Sequence, residues 1–90
     1  MPTIHLIIKG LVQGVFYRAS AKEKALDLGL TGWVKNTKEG DVEIKASGDP
    51  ENLEKLKEWC WQGPSQSKVR NVISEQLQDE EMFQGFSIQR

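Results

Sequence analysis

The stretch GLVQGVFYR, Gly10 to Arg18, places two glycines and an arginine between an aliphatic run and a segment with helical spacing. A helix N-terminus presents unpaired amide N–H groups and the positive end of the helix dipole. When the connection before it bends tightly, further N–H groups point into the same concavity, which then takes a phosphate-sized anion. Gly14 lets the backbone approach such an anion and adopt dihedrals closed to other residues. Arg18, in the first helical turn, adds a planar fork of donors that matches two phosphate oxygens. The backbone of Gln13, Gly14, Val15, Phe16, Tyr17 and Arg18 is therefore a candidate anion cradle. Glycines at such a junction also make plain turns, and first-turn arginines also stand in solvent, so the pattern leaves both readings open. It contains neither the Gly-Lys-Ser/Thr of a P-loop nor the glycine triplet of a dinucleotide fold, and nucleotide binding gains no support.

The second candidate is Asn36, in GWVKNTKEG. If Val34 faces the core, alternation along the strand points Asn36 to the same side, at the strand's end. Its amide can hold a water in place, although an asparagine beside a hairpin turn also serves as a turn-former. The remaining conspicuous residues favour structural roles. Trp59 and Trp61 flank the apolar stripe of a helix and are expected to seal the core edge. Cys60 reads as a buried small hydrophobe, with no histidine free to activate it. His5, the sole histidine, belongs to the opposite face of its strand and is not expected to be a catalytic base.

These residues must be positioned by a small set of elements. Ile4, Leu6 and Ile8 alternate with His5, Ile7 and Lys9, which predicts a strand over residues 3 to 9, ended by Gly10. From Tyr17 the spacing becomes helical, with Tyr17, Ala21, Ala25 and Leu28 on one face and Gly29 placed as a C-terminal cap. A hairpin follows: a strand over 31 to 36, a turn over Thr37 to Gly40 with positive φ at Gly40, and a strand with Val42, Ile44 and Ala46 facing inward. Asp49 reads as the N-cap of a second helix, with Pro50 at its first position, Leu53, Leu56 and Cys60 as the buried stripe, and Gly63-Pro64 as its stop. Residues 68 to 77 and 83 to 88 read as closing strands, the last with Phe86 and Ile88 facing in, and QDEEMFQG between them reads as a loop. The order strand, helix, strand, strand, helix, strand suggests two interleaved units with right-handed crossovers. The fold class expected is α+β, a ferredoxin-like sandwich: an antiparallel sheet of four to five strands with two helices on one face. In that topology the first two strands run parallel, which brings Asn36 near the glycine loop.

Composition narrows the function. Ninety residues, 38% hydrophobic and 28% charged, suit one compact domain over 1–90 and leave no room for a second that carries a cofactor. A formal net charge of -1 with the signs interspersed gives no field to concentrate nucleic acid or an anionic membrane. RNA binding on the sheet would need aromatic residues on the central strands and a basic surround, whereas the expected open face carries His5, Ile7, Lys9, Glu43 and Lys45. One cysteine and one histidine argue against a disulfide framework and a zinc site, so neither metal nor cofactor is expected. No signal peptide or membrane-spanning run is visible, which makes a cytoplasmic protein the default, and no exposed apolar stripe stands out, which makes a monomer the default.

Taken together, GLVQGVFYR and GWVKNTKEGDVEIKASG closely resemble the two signatures of the acylphosphatase family. The match includes Val12, Gln13, Gly14, Val15, the aromatic Tyr17 and Arg18 in the first, and Gly32, Asn36, Gly40, Val42 and Gly48 in the second. It extends over essentially the whole chain, and the closing GFSIQR is similar to the family's last strand. The resemblance implies hydrolysis of the mixed anhydride of a carboxylic acid and phosphate. It further implies that Arg18 and the loop amides hold the phosphoryl group and that Asn36 orients the attacking water. The lack of an obvious general acid is consistent with this, because a carboxylate whose acid has a pKa of about 4 departs without protonation. A catalytically idle relative that only senses acyl phosphates would carry the same motifs.

Overall fold

A computed structural model describes residues 2–78 and 83–89 of the chain. The elements follow as β1 (Thr3–Leu11), α1 (Tyr17–Asp27), β2 (Thr31–Asn36), β3 (Val42–Ser47), α2 (Pro50–Gln62), β4 (Lys68–Leu77) and β5 (Phe86–Gln89). The loop expected over QDEEMFQG lies in part outside the described residues.

The strands form one sheet in the order β4-β1-β3-β2-β5. β1 pairs antiparallel with both β3 and β4, and β2 pairs antiparallel with β3. β5 runs parallel to β2, with Gly32 opposite Phe86 and Val34 opposite Ile88, so the sheet of this α+β sandwich is mixed rather than antiparallel throughout. Because β1 and β2 share β3 as an antiparallel neighbour, both run the same way and deliver their C-terminal ends to one edge of the sandwich.

Both helices cover one face, α1 over β2 and β5, α2 over β4 and β1. Leu6, Ile8, Val34, Val42, Ile44 and Ala46 point into the interface from the sheet, and Tyr17, Ala21, Ala25, Leu53, Leu56 and Cys60 meet them from the helices. Each fully buried Leu or Ile among them contributes roughly 1.5–3 kcal/mol. The alanines of α1 carry little bulk, which allows that helix to lie close on the sheet. It ends in a Schellman arrangement, with Leu30 N–H donating to Ala25 O and Gly29 N–H to Leu26 O.

Two expectations need correction. Gly10 does not end β1; the strand continues to Leu11 through an irregularity between Lys9 and Gly10. A Cβ at Gly10, whose φ is +129°, would lie 2.2 Å from the carbonyl oxygen of Lys68, so the glycine permits close pairing with β4 rather than stopping the strand. Trp61 does not seal the core edge: it is 50% exposed, whereas Trp59 packs its ring at 5.4 Å from that of Tyr17. Position 59 falls on the margin of the Leu53-Leu56-Cys60 stripe, and two further residues along a helix turn Trp61 away from it.

Candidate active site

The end of β1 and the end of β2 are joined by a side chain. Gln13 donates from Nε2 to the carbonyl oxygens of Thr37, at 2.9 Å, and Asp41, at 2.8 Å, which ties the β1–α1 loop to the hairpin that carries Asn36. Val12 just before it is buried and Val15 packs against the core, so the loop is pinned at both ends. The hairpin is closed by its own bonds, Thr37 N–H to Asp41 O at 2.9 Å and Asp41 N–H to Thr37 Oγ1 at 3.1 Å, and Gly40 has the expected positive φ, +92°.

Between these anchors the loop takes two left-handed steps. Gly14 has φ +76° and nothing within 4 Å of where a Cβ would sit, so its dihedral, not crowding, requires glycine. Phe16 has φ 64° and ψ 22°, the only described non-glycine residue with positive φ, and it occupies the N-cap of α1 without giving a side-chain capping bond. The first intrahelical bond is Ser20 N–H to Phe16 O at 3.0 Å. The N–H groups of Tyr17, Arg18 and Ala19 therefore have no acceptor within the helix. The first turn contains no acidic residue.

What holds this uncapped terminus is the core. Tyr17, 1% exposed, donates its hydroxyl to the carbonyl oxygen of Cys60 at 2.7 Å and so links the first turn of α1 to the last turn of α2. Burial, reinforced by the nearby Cys60, pushes the Tyr17 phenol well above its ordinary range. The Cys60 thiol is pushed up to about 12, again by burial, which outweighs the opposing hydrogen bond with Tyr17. It stays a neutral thiol, in keeping with a packing role.

A cleft of about 370 Å³ opens where the loop, the first turn of α1 and the end of β2 converge. Gly14, Phe16, Arg18 and Asn36 line it, together with Tyr17, Val12, Ala19 and Ile88. Arg18 makes no ion pair with any described residue. The side-chain oxygen Oδ1 of Asn36 is buried and has no hydrogen-bond partner among the described residues. An acceptor in that position normally costs stability unless a donor reaches it. The cleft thus brings together unpaired amide donors, an uncommitted guanidinium and an orphaned acceptor.

Of the residues picked out from the sequence, Gly14, Phe16, Tyr17, Arg18 and Asn36 reach the cleft, whereas Gln13 braces the loop from behind and the Val15 side chain turns into the core. Val12, Ala19 and Ile88 also line the cleft, and the sequence pattern does not mark them as site residues. Ile88 was expected to face inward, and it does lie on the helix-bearing side opposite Val34, but it is 37% exposed at the cleft. The parallel pairing of β5 with β2 puts it there, and no local signal announces that pairing. His5 lies on the open face of the sheet, where it donates to Glu43 at 2.6 Å. Among the described residues no group of His, Cys, Asp and Glu side chains comes together to hold a metal, and no helix is long and apolar enough to cross a membrane.

The family model, the most similar relatives and the solved structures above 30% identity carry one family name. The acylphosphatase family model matches residues 4–88. An acylphosphatase of Marinobacter nauticus is 49% identical over 82 residues, 91% of this chain and 89% of that one. The structure of an acylphosphatase from Coxiella burnetii superposes with a TM-score of 0.94 at 44% identity, covering 98% of this chain and 92% of that one. The crystal structure of acylphosphatase from Bacillus subtilis gives a TM-score of 0.97 at 34% identity over the full length of both.

Proposed function

The chain belongs to the acylphosphatase family and hydrolyses acyl phosphates, and from that premise we propose how its cleft divides the work between two side chains and a run of backbone. The phosphoryl group sits against the amides of residues 13–18 with Arg18 across two of its oxygens. Asn36 Oδ1 accepts a hydrogen bond from the attacking water and aims its lone pair at phosphorus. The water oxygen bonds to phosphorus as the bond from phosphorus to the carboxylate oxygen breaks. The leaving group departs as a carboxylate and needs no acid, and the water proton passes to a phosphoryl oxygen. Charge spread over the equatorial phosphoryl oxygens in the transition state is met by donors already in place.

The observation that carries this division is the orphaned oxygen of Asn36, buried in the same cleft as an unpaired arginine and an uncapped helix terminus. A turn-forming asparagine would bond its own hairpin; here the hairpin is closed by Thr37 and Asp41 instead. Replacing Asn36 by Ala is expected to lower kcat about 10²-fold, roughly 3 kcal/mol of transition-state stabilisation, and to leave the inhibition constant for inorganic phosphate nearly unaltered. Near-normal turnover in the variant, or failure only through unfolding, would return Asn36 to a structural role. The protein is further proposed to act as a cytoplasmic monomer through one domain over 1–90, with a small acyl phosphate as its partner and without nucleic acid, membrane, metal or cofactor.

A further inference from the structure

The lining of the cleft is chemically mixed: Arg18 and Asn36 supply polar groups, and Phe16, Ile88 and Ala19 supply apolar ones. Two of these apolar residues are costly where they stand. Phe16 leaves 77% of its surface in solvent and holds a left-handed backbone that glycine would take without strain. Ile88, near the end of the short edge strand β5, is 37% exposed. Of the large exposed apolar side chains, Leu11, Leu26, Trp61 and Ile73 lie outside the cleft, and Phe16 and Ile88 share it with the arginine. Neither side chain carries a group that would hold a phosphate ion.

An acyl phosphate combines the same two characters: a dianionic head and, one bridging anhydride oxygen away, an acyl group of variable apolar size. With the head fixed on Arg18 and the loop amides, the tail must lie along another wall of the same small cleft. We propose that Phe16 and Ile88 form an acyl-binding wall and make the enzyme prefer acyl phosphates with extended aliphatic or aryl acyl groups over acetyl phosphate. This rests on the phosphoryl site proposed above and adds to it the class of substrate.

The test is kcat/KM for acetyl, butanoyl and hexanoyl phosphate, whose acids are of nearly equal acidity, so that leaving ability stays constant while apolar length grows. A fully buried methylene is worth up to about 4-fold, and in an open cleft about 2-fold per methylene is expected, so that hexanoyl phosphate, four methylenes longer, exceeds acetyl phosphate by about 16-fold. Phe16→Ser and Ile88→Ser should each lower the hexanoyl-to-acetyl ratio by about 3-fold or more. Ile73→Ser, at a comparably exposed isoleucine on β4 outside the cleft, should leave the ratio unchanged. Because Phe16 also belongs to the loop backbone, Ile88→Ser carries the test if Phe16→Ser loses turnover on every substrate. A flat series in the unaltered enzyme, or a ratio that Ile88→Ser does not move, overturns the acyl wall and leaves the phosphoryl site standing. A change in the ratio accompanied by an unchanged inhibition constant for inorganic phosphate supports it. Absence of hydrolysis across the whole series would overturn the phosphoryl site and the wall together.

Discussion

The N-termini of α1 and α2 solve one electrostatic problem in opposite ways. α2 is closed by its own residues: Asp49 accepts a hydrogen bond from Glu51 N–H at 2.9 Å, Pro50 removes one donor, and Glu51 adds a negative charge to the first turn. α1 has Phe16 at the same position in a left-handed conformation, no side-chain cap, no acid in the first turn and an arginine there instead. A cap satisfies orphan amides and an acid answers the dipole, each worth about 0.5–2 kcal/mol. α1 forgoes both and is held by Tyr17 in the core. One terminus is closed by its own residues, and the other is left with donors and positive charge, which is where the proposed site places the phosphoryl group. The difference between them marks the site more clearly than either terminus does alone.

Removing the charge from the open terminus should have the largest effect. Arg18→Gln is expected to lower kcat/KM by about 10³-fold, roughly 4 kcal/mol, and to raise the inhibition constant for phosphate at least about 10-fold, because in the proposed site the guanidinium meets the phosphoryl group in both ground and transition states. Steady-state kinetics with phosphate as inhibitor checks both constants, and thermal unfolding should show a folded protein. If only kcat fell, Arg18 would act on the transition state alone.

The next effect concerns what replaces the cap. Tyr17→Phe removes the bond to the Cys60 carbonyl and should cost about 1–2 kcal/mol in denaturant unfolding. It should also change the alkaline limb of stability. The folded Cys60 thiol keeps its proton up to about 12 against an ordinary 9.0, and the Tyr17 phenol is raised above its ordinary 10.0. Below pH 9 both groups are protonated in both states and stability is at its full value; as pH rises from 9 toward 12 the unfolded chain releases protons that the folded one retains, and stability falls. In Tyr17→Phe the part of that fall beginning near pH 10 should be shallower. An alkaline limb identical to that of the unaltered protein would mean that the phenol is not held in its protonated form by the fold.

The smallest effect belongs to the closed terminus. Asp49→Ala should lower stability by about 1 kcal/mol and leave kcat and phosphate inhibition unchanged. Loss of phosphate affinity there would erase the contrast between the two helices.

The contrast was partly legible before any coordinates. Asp49-Pro50 and the Leu53-Leu56-Cys60 stripe announce α2, because caps and 3.6-residue spacing are local signals. Gly14 and Arg18 suggest the anion cradle, and the parity of Val34 places Asn36 on the helix side of β2. The features that complete the site depend on distant pairings. That Phe16 would take positive φ is unexpected for an aromatic residue, since nothing in its neighbours demands it. The clasp of Gln13 on Thr37 and Asp41 spans more than twenty residues and has no periodic signature. Ile88 reaches the cleft through the parallel pairing of β5 with β2, a long-range choice to which alternation within the strand is blind. Gly10 misleads for a related reason: a glycine that admits a neighbouring strand reads locally like one that ends its own.

The most direct test of the claim that the two termini differ in function is to titrate inorganic phosphate into the ¹⁵N-labelled protein and follow its amide resonances. Saturable shifts at residues 14 to 20 and at the Asn36 side chain, with a dissociation constant equal to the inhibition constant and with Glu51 and Asn52 unmoved, are expected. Phosphate that leaves the first turn of α1 unperturbed, or that shifts both helix termini alike, would contradict the assignment of the cradle.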